Sequence, residues 1–363
     1  MSATLPTTAE ALRAALAGLL DGLPPRQAAQ AVERLIASYR GATPTDAPVL
    51  RDRSDVVAYA AYRMPATFEA VRAALAGLAD AAPSWVPGSH VDVGGGTGAG
   101  VWAADAVWGA DAVRAAGAVG AGAAATEAGV PGAGARTTTV LDWAEPALAL
   151  GRELAASGTA GLRAAEWRRA RIGAALRLPD SDLVTVSYVL NELTEPDRAA
   201  LVAEAARAAQ AVVIVEPGTP DGYLRIMAAR DGLTGAGLRI AAPCPHSGAC
   251  PIERGTDWCH FAARVSRSSL HRQVKGGSLP YEDEKFSYVV GVRVGVLDAP
   301  GVPGRARVVR KPQIRKGQVL LDLCEGDGDG DGGARRETVT KRQGALYRAA
   351  RDAAWGDEWP PRG

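Results

Sequence analysis

HVDVGGGTG, residues 90–98, is where this chain changes register. A short apolar strand runs into a glycine-rich turn, and the turn opens a helical stretch, AGVWAADAVWGA (99–110). Gly94, Gly96 and Gly98 let a ligand approach the backbone, and the helix that follows presents free N–H groups. Asp92 stands just upstream of the first glycine. A glycine turn alone is a weak signal, but the strand–turn–helix context gives it weight. The next strand, TTTVLDW, ends at Asp142, an acid placed to accept hydrogen bonds from a ribose diol. Dinucleotide folds separate glycine turn and acid by about 20 residues. Here the gap is filled out by a low-complexity stretch, GAVGAGAAATEAGVPGAGAR (117–136).

Outward from the turn, strands and helices alternate. Strands are expected at Leu183–Ser187 and 211–217, and helices at Pro146–Ala156, Pro196–Gln210 and Tyr223–Leu233. That alternation predicts a mostly parallel sheet covered on both faces, an α/β core over 86–240. Upstream, two helices are expected over residues 7–40 and a third over Val56–Ala79, interrupted near Pro65. They form a helical N-terminal domain, 1–85. Downstream, FSYVVGVRVGV (286–296) and GQVLLDLC (317–324) read as an antiparallel pair closing the sheet, within a segment 286–345 that also carries a basic loop. A tail covers 346–363.

Hydrophobic residues make up 47% of the 363 and charged residues 22%, which suits a globular chain of one large domain or two. No stretch approaches the roughly 20 apolar residues of a spanning helix. The N-terminal sequence reads as neither a secretory signal nor a transit peptide, so a cytoplasmic protein with no membrane partner is expected. Net charge is +1, but residues 261–320 carry twelve Lys/Arg against four Asp/Glu. A polyanionic partner fits that excess. So does a solvated basic face, or charge balancing a buried anionic cofactor.

Residues 241–285 form a cysteine-rich insertion, with Cys244, Cys250 and Cys259 inside APCPHSGACPIERGTDWCHF. Cys324 follows much later, at the end of an expected strand. Four cysteines in a chain this long are not a disulfide scaffold. Their spacing matches neither a zinc ribbon nor a bacterial ferredoxin run. It therefore says metal site with the type open, against buried free thiols that simply pack. His246 and His260 are placed to ligate or to donate to sulfur. Next, RVSRSSLHRQVKGG puts Arg264, Arg267, His271 and Lys275 at helical spacing on one face, for phosphate contact or charge compensation. Arg310, Lys311, Arg315 and Lys316 lie in the later basic loop.

DVGGGTG resembles the first motif of class I S-adenosylmethionine methyltransferases. SYVLNEL, 187–193, falls where that fold turns a central strand toward its substrate. Asn191 and Glu192 are the candidates there, though the Asn/Asp-Pro-Pro-aromatic pattern of N-methylating enzymes is missing. Together, AYRMPATFEAV, VDVGGGTG, SYVLNEL, EPGTPDGY, APCPHSGACP, DWCHF, RSSLHRQVKGG, EDEKFSY and LDLC occur in this order. They resemble the methyltransferase-like family of mitochondrial small-ribosomal-subunit proteins (the Rsm-twenty-two type) and its bacterial relatives.

The resemblance implies a class I methyltransferase (Rossmann-like) sheet. It implies a [4Fe-4S] cluster on Cys244, Cys250, Cys259 and Cys324, and S-adenosyl-L-methionine held by Asp92, Gly94, Gly96, Gly98 and Asp142, with Glu145 competing for the last role. It implies a partner, the small ribosomal subunit and its rRNA, bound during maturation or translation by a protein monomeric off the ribosome. Two versions follow: an rRNA methyltransferase, and a non-catalytic assembly factor using the cluster to shape its RNA-binding part. A zinc protein acting on a small molecule is the third reading. GDGDGDGG (326–333) matches half of an EF-hand loop, but its twelfth position is Thr338 and no flanking helices are expected, so it reads as an acidic hairpin turn.

Overall fold

A computed structural model of the chain describes residues 7–20, 53–109, 136–268, 278–297, 306–326 and 332–361, with 26, 29–30, 32–33 and 272. Helices α1 (Thr8–Leu20) and α2 (Arg53–Ala81) precede strand β1 (Ser89–Val93). Then come α3 (Ala99–Trp108), β2 (Thr137–Asp142), α4 (Glu145–Ala156), α5 (Ala160–Arg163) and β3 (Glu166–Arg169). The core continues through β4 (Ser181–Ser187), α6 (Glu195–Ala208), β5 (Ala209–Pro217), α7 (Pro220–Gly235) and β6 (Arg239–Ala242). Thr194 and Thr219 cap α6 and α7 with their hydroxyls, and each helix has proline in its first turn, where no N–H is needed.

Among the described residues the main sheet runs β3-β2-β1-β4-β5, then β8 (Tyr281–Val292), then β6, with β7 (Phe261–Ser266) also on β8. The first five strands are parallel. β8 lies antiparallel to β5, β6 and β7. The expected Rossmann-like α/β sheet is therefore present, and β1 and β4 are neighbours at the point where strand order reverses. In such sheets the crevice at the carboxyl ends of those two strands is where ligands bind. Gly94 and Tyr188 begin those ends. One apolar core joins α1, α2, α3 and α4 to one face of the sheet, and a second joins α6 and α7 to the other.

The structure corrects three expectations. α2 runs unbroken through Pro65, because Met64, Ala66 and Phe68 are buried and packing outweighs the lost hydrogen bond. Arg264 stands on strand β7, not on a helix; Phe261, Ala263 and Val265 are buried and alternate with exposed neighbours, the period of a strand. Arg267 follows that strand, while His271 and Lys275 lie outside the described residues.

The two late apolar runs do not pair. β8 enters the main sheet. β11 (Gln318–Gly326) instead joins a second sheet, with β9 (Ala306–Val308), β10 (Gln313–Arg315), β12 (Gly332–Thr340) and β13 (Glu358–Trp359). This sheet builds its own core from Val308, Val319, Leu321, Leu323, Val339 and Trp359, with α8 (Ala345–Asp352) against it. The reason is local: β11 and β12 form a hairpin paired from Gln318↔Thr340 to Gly326↔Gly332. Asp327, Asp329 and Asp331 lie outside the described residues, between these strands.

Candidate functional site

The glycine turn has left-handed backbone at Gly94 (φ +69°), Gly96 (+51°) and Gly98 (+88°). Glycine adopts this region without penalty. The three differ in what surrounds them. A β-carbon on Gly94 would strike Val189, and one on Gly98 would strike the Trp167 ring. One on Gly96 would meet nothing closer than an Asp142 carboxylate oxygen, 3.8 Å away. Asp142 accepts from the Gly96 N–H at 2.9 Å and the Ala144 N–H at 2.8 Å, tying the end of β2 to the turn. Glu145 is on the surface in an ion pair with Arg152. Asp92 sits beneath the turn, against Gly95 and Gly100, and accepts from the Thr185 hydroxyl at 2.6 Å. Burial raises its carboxyl to about 7, with Asp142 adding to the rise.

SYVLNEL leaves β4 through a strained residue. Tyr188 has φ +59°, unusual for an aromatic side chain. Its hydroxyl donates to Glu284 at 3.1 Å, and Arg63 clamps the same carboxylate with contacts of 2.7 and 3.1 Å. The Arg63 guanidinium also lies 5.2 Å from the Tyr188 ring centroid. This clamp joins α2, β8 and the end of β4, and sequence reasoning missed it. Further on, the Leu190 N–H donates to buried Glu216, which pairs with Arg225 at 2.6 Å. Asn191 and Glu192 remain exposed at the rim of the crevice. Partial desolvation of Glu192, with Asp142 and Glu216 close by, raises its carboxyl to about 7.

The cysteines converge. Cys244, Cys250, Cys259 and Cys324 line one cavity, together with Tyr223 and Arg230. Three come from the segment between β6 and β7, and the fourth comes from β11 of the other sheet. None is in a disulfide. The Tyr223 hydroxyl is 3.5 Å from Cys250 Sγ, and His246 Nε2 is 3.5 Å from Cys324 Sγ. Arg230 is buried, holds the His246 and Gly248 carbonyls, and leaves its Nε without a hydrogen-bond partner. Burial and the neighbouring thiols raise Cys259 strongly and push Cys324 up to about 12. Burial also raises Cys244, against the pull of Arg230. His260 lies between Trp258 and Trp355, with ring centroids at 5.6 and 4.3 Å. Among the described residues, no three His, Cys, Asp or Glu are grouped to hold a metal ion.

The basic candidates divide. Arg264 pairs with Asp283 at 2.6 Å and Arg267 with Glu282 at 3.2 Å. Arg310 pairs with Asp257 and lies over Trp355. Lys311, Arg315 and Lys316 are exposed.

Comparison with known proteins bears on this geometry. The family described as "Mitochondrial small ribosomal subunit Rsm22" matches residues 53–129 and 112–360. The chain belongs to the Rsm22 family. It is similar to Rsm22-cox11 tandem protein 2 of Schizosaccharomyces pombe, 31% identical over 190 residues, covering 42% of this chain and 25% of that one. It is also similar to the mitochondrial ribosome assembly protein METTL17 of Homo sapiens, 29% identical over 320 residues, covering 83% and 62%. The chain thus spans a quarter of one relative and less than two thirds of the other. Among solved structures it is similar to a putative RNA methyltransferase from Pyrococcus horikoshii (12% identity, TM-score 0.36, covering 61% of this chain and 84% of that one). A SAM-dependent methyltransferase from Aquifex aeolicus gives 14% identity and TM-score 0.37, covering 67% and 100%. Among the described residues, no helix of this Rsm22-family chain is long and apolar enough to cross a membrane.

Proposed function

We propose that this chain is an adenosylmethionine-fold protein with a [4Fe-4S] cluster that binds small-subunit rRNA and acts in maturation of the small ribosomal subunit. One observation carries the reading: Cys324 joins the three clustered cysteines at a single cavity although it belongs to a different sheet. The donor set fits a cluster. Four thiols line one space, Arg230 would offset thiolate charge, and the Tyr223 hydroxyl and His246 Nε2 lie within reach of sulfur. Ribosomal action is supported by family membership and by the words "ribosome assembly protein" in the human relative's name.

Adenosylmethionine would lie over Gly96, with Asp142 fixing the turn, and would supply an electrophilic methyl group. The assembly reading leads over transfer, because the human relative is named a ribosome assembly protein and SYVLNEL lacks the Asn/Asp-Pro-Pro-aromatic pattern of N-methylating enzymes. Methyl transfer to rRNA is the second reading. It rests on Glu192, whose raised carboxyl could take a proton from an acceptor at the rim.

Protein isolated without air tests the metal. Four irons and four sulfides per chain, with brown colour, are expected; stoichiometric zinc in colourless protein refutes the cluster. Cells carrying Gly96→Arg or Cys250→Ser separate the two versions. Subunit assembly that survives the first change and fails with the second supports the assembly factor; lost rRNA methylation with Gly96→Arg supports the enzyme.

A further inference from the structure

The second sheet gathers cations at one end, and half of them come from a stretch that carries no motif. In register, Arg315 of β10 stands opposite Gln318 of β11, and Gln318 stands opposite Thr340 of β12. Three strands therefore lie abreast, spanning about 10 Å at ordinary strand spacing. Lys316 begins the turn from β10 to β11, and the Lys341 N–H donates to the Gly317 carbonyl in that turn at 3.0 Å. Lys341 and Arg342 open a short 3-10 turn that Thr340 and Gln343 hold with a reciprocal cap. Arg315, Lys316, Lys341 and Arg342 are all exposed. Ile314 beside them is 57% exposed.

These four charges stand apart from the others on the sheet. Arg335 is held by Glu325 and Glu337, Arg336 by Asp322, and Arg307 by backbone carbonyls. Among the described residues, no carboxylate pairs with any of the four; Arg315 meets the Gln313 amide oxygen, at 3.3 Å. Among the described residues, a polyanion docking here breaks no ion pair. Docking on Arg264 or Arg267 would have to displace Asp283 or Glu282. We infer that this sheet end, Arg315, Lys316, Lys341 and Arg342, is the surface that grips the RNA phosphate backbone. The exposed Ile314 offers an apolar contact to a ribose or base. The inference rests on the RNA-binding reading above and places that binding on the C-terminal sheet, not beside the cysteines.

The test uses the full chain and a transcribed small-subunit rRNA fragment, with affinity measured from 50 to 200 mM salt. Lys316→Gln, Lys341→Gln and Arg342→Gln are combined, and thermal melting checks that the variant is folded. A loss of tenfold or more is expected at low salt. The slope of log affinity against log salt should fall by about 2, at roughly 0.7 per lost phosphate contact on a single strand. Arg335→Gln, which removes a paired cation from the same sheet, should change affinity less than twofold. Wild-type affinity and slope in the folded triple variant overturn the surface and leave the RNA-binding reading standing. No RNA binding by the unaltered protein overturns both. Lost binding to phosphatidylserine vesicles with unchanged RNA binding assigns the patch to a membrane and overturns the inference.

Discussion

A β-carbon on Gly94 would lie 2.0 Å from Val189 Cγ2, so the glycine turn and SYVLNEL are packed directly on each other. Gly94→Ala must both push Val189 aside and hold alanine at φ +69°. The left-handed backbone costs about 1–2 kcal/mol, and overpacking adds about 1–3. Gly96→Ala has room and meets the first cost alone. Urea unfolding should show the larger loss for Gly94→Ala. Calorimetric titration with adenosylmethionine should show weakened binding for Gly96→Ala in a protein that is still folded. Equal stability losses would contradict the packing account.

The Arg63–Glu284–Tyr188 clamp makes a graded prediction. Tyr188→Phe removes one donor and should cost about 1 kcal/mol. Arg63→Met leaves Glu284, 14% exposed, without its cation. Breaking a fully buried pair costs about 3–5 kcal/mol. Arg63 keeps 31% of its side chain exposed, so roughly 2–3 is expected. Denaturant midpoints measure both, and the order should be Arg63→Met below Tyr188→Phe below wild type.

Asp92 predicts a pH dependence. Its folded carboxyl is raised to about 7, above the unfolded value of 3.8, so the native state binds the extra proton. The destabilising contribution therefore grows as pH rises from about 4 through 7, and is complete above that. Asn cannot ionise and still accepts from Thr185. Asp92→Asn should raise the urea midpoint at pH 8, a stability gain on the order of 4 kcal/mol, and raise it much less at pH 4.5, by about 1 kcal/mol. A gain equal at both values would rule out the ionisation.

Removing the proposed cluster should loosen one part of the molecule more than the rest. Chelation, or Cys324→Ala, would take away the link that such a cluster makes between the cysteine segment and β11. Amide exchange should speed up across 306–326 and 332–359, while 89–93 and 209–217 stay protected. The residual attachment through Arg307 to the Pro243 carbonyl and Arg310 to Asp257 sets how far it goes.

The glycine turn was legible because strand, turn and helix are adjacent in sequence, and Asp142 was legible because it ends a strand. The pairing of Arg63 with Glu284 was not, because 221 positions separate them and nothing in the blocks that hold them, AYRMPATFEAV and EDEKFSY, says that the two meet. The spacing of Arg264, Arg267, His271 and Lys275 fits a helical period, yet Phe261, Ala263 and Val265 carry the burial, and burial chose the strand. Short apolar runs announce strands without naming partners. That is why 286–296 and 317–324 were assigned to one sheet when the β11–β12 hairpin draws the second run into another.

Cys324 on its own sheet also orders events in time. A ribosome adding about 5–20 residues per second needs roughly 3–13 s to travel from Cys259 to Cys324. β9 gains its partner β13 only when Trp359 has emerged. During that interval three thiols are present on a nascent chain whose fourth does not yet exist. Three thiolates suffice to trap a passing zinc ion. Loading of the proposed cluster would therefore be a matter of scheduling: iron and sulfide would have to arrive after the C-terminal sheet has closed, and zinc would have to be kept away until then.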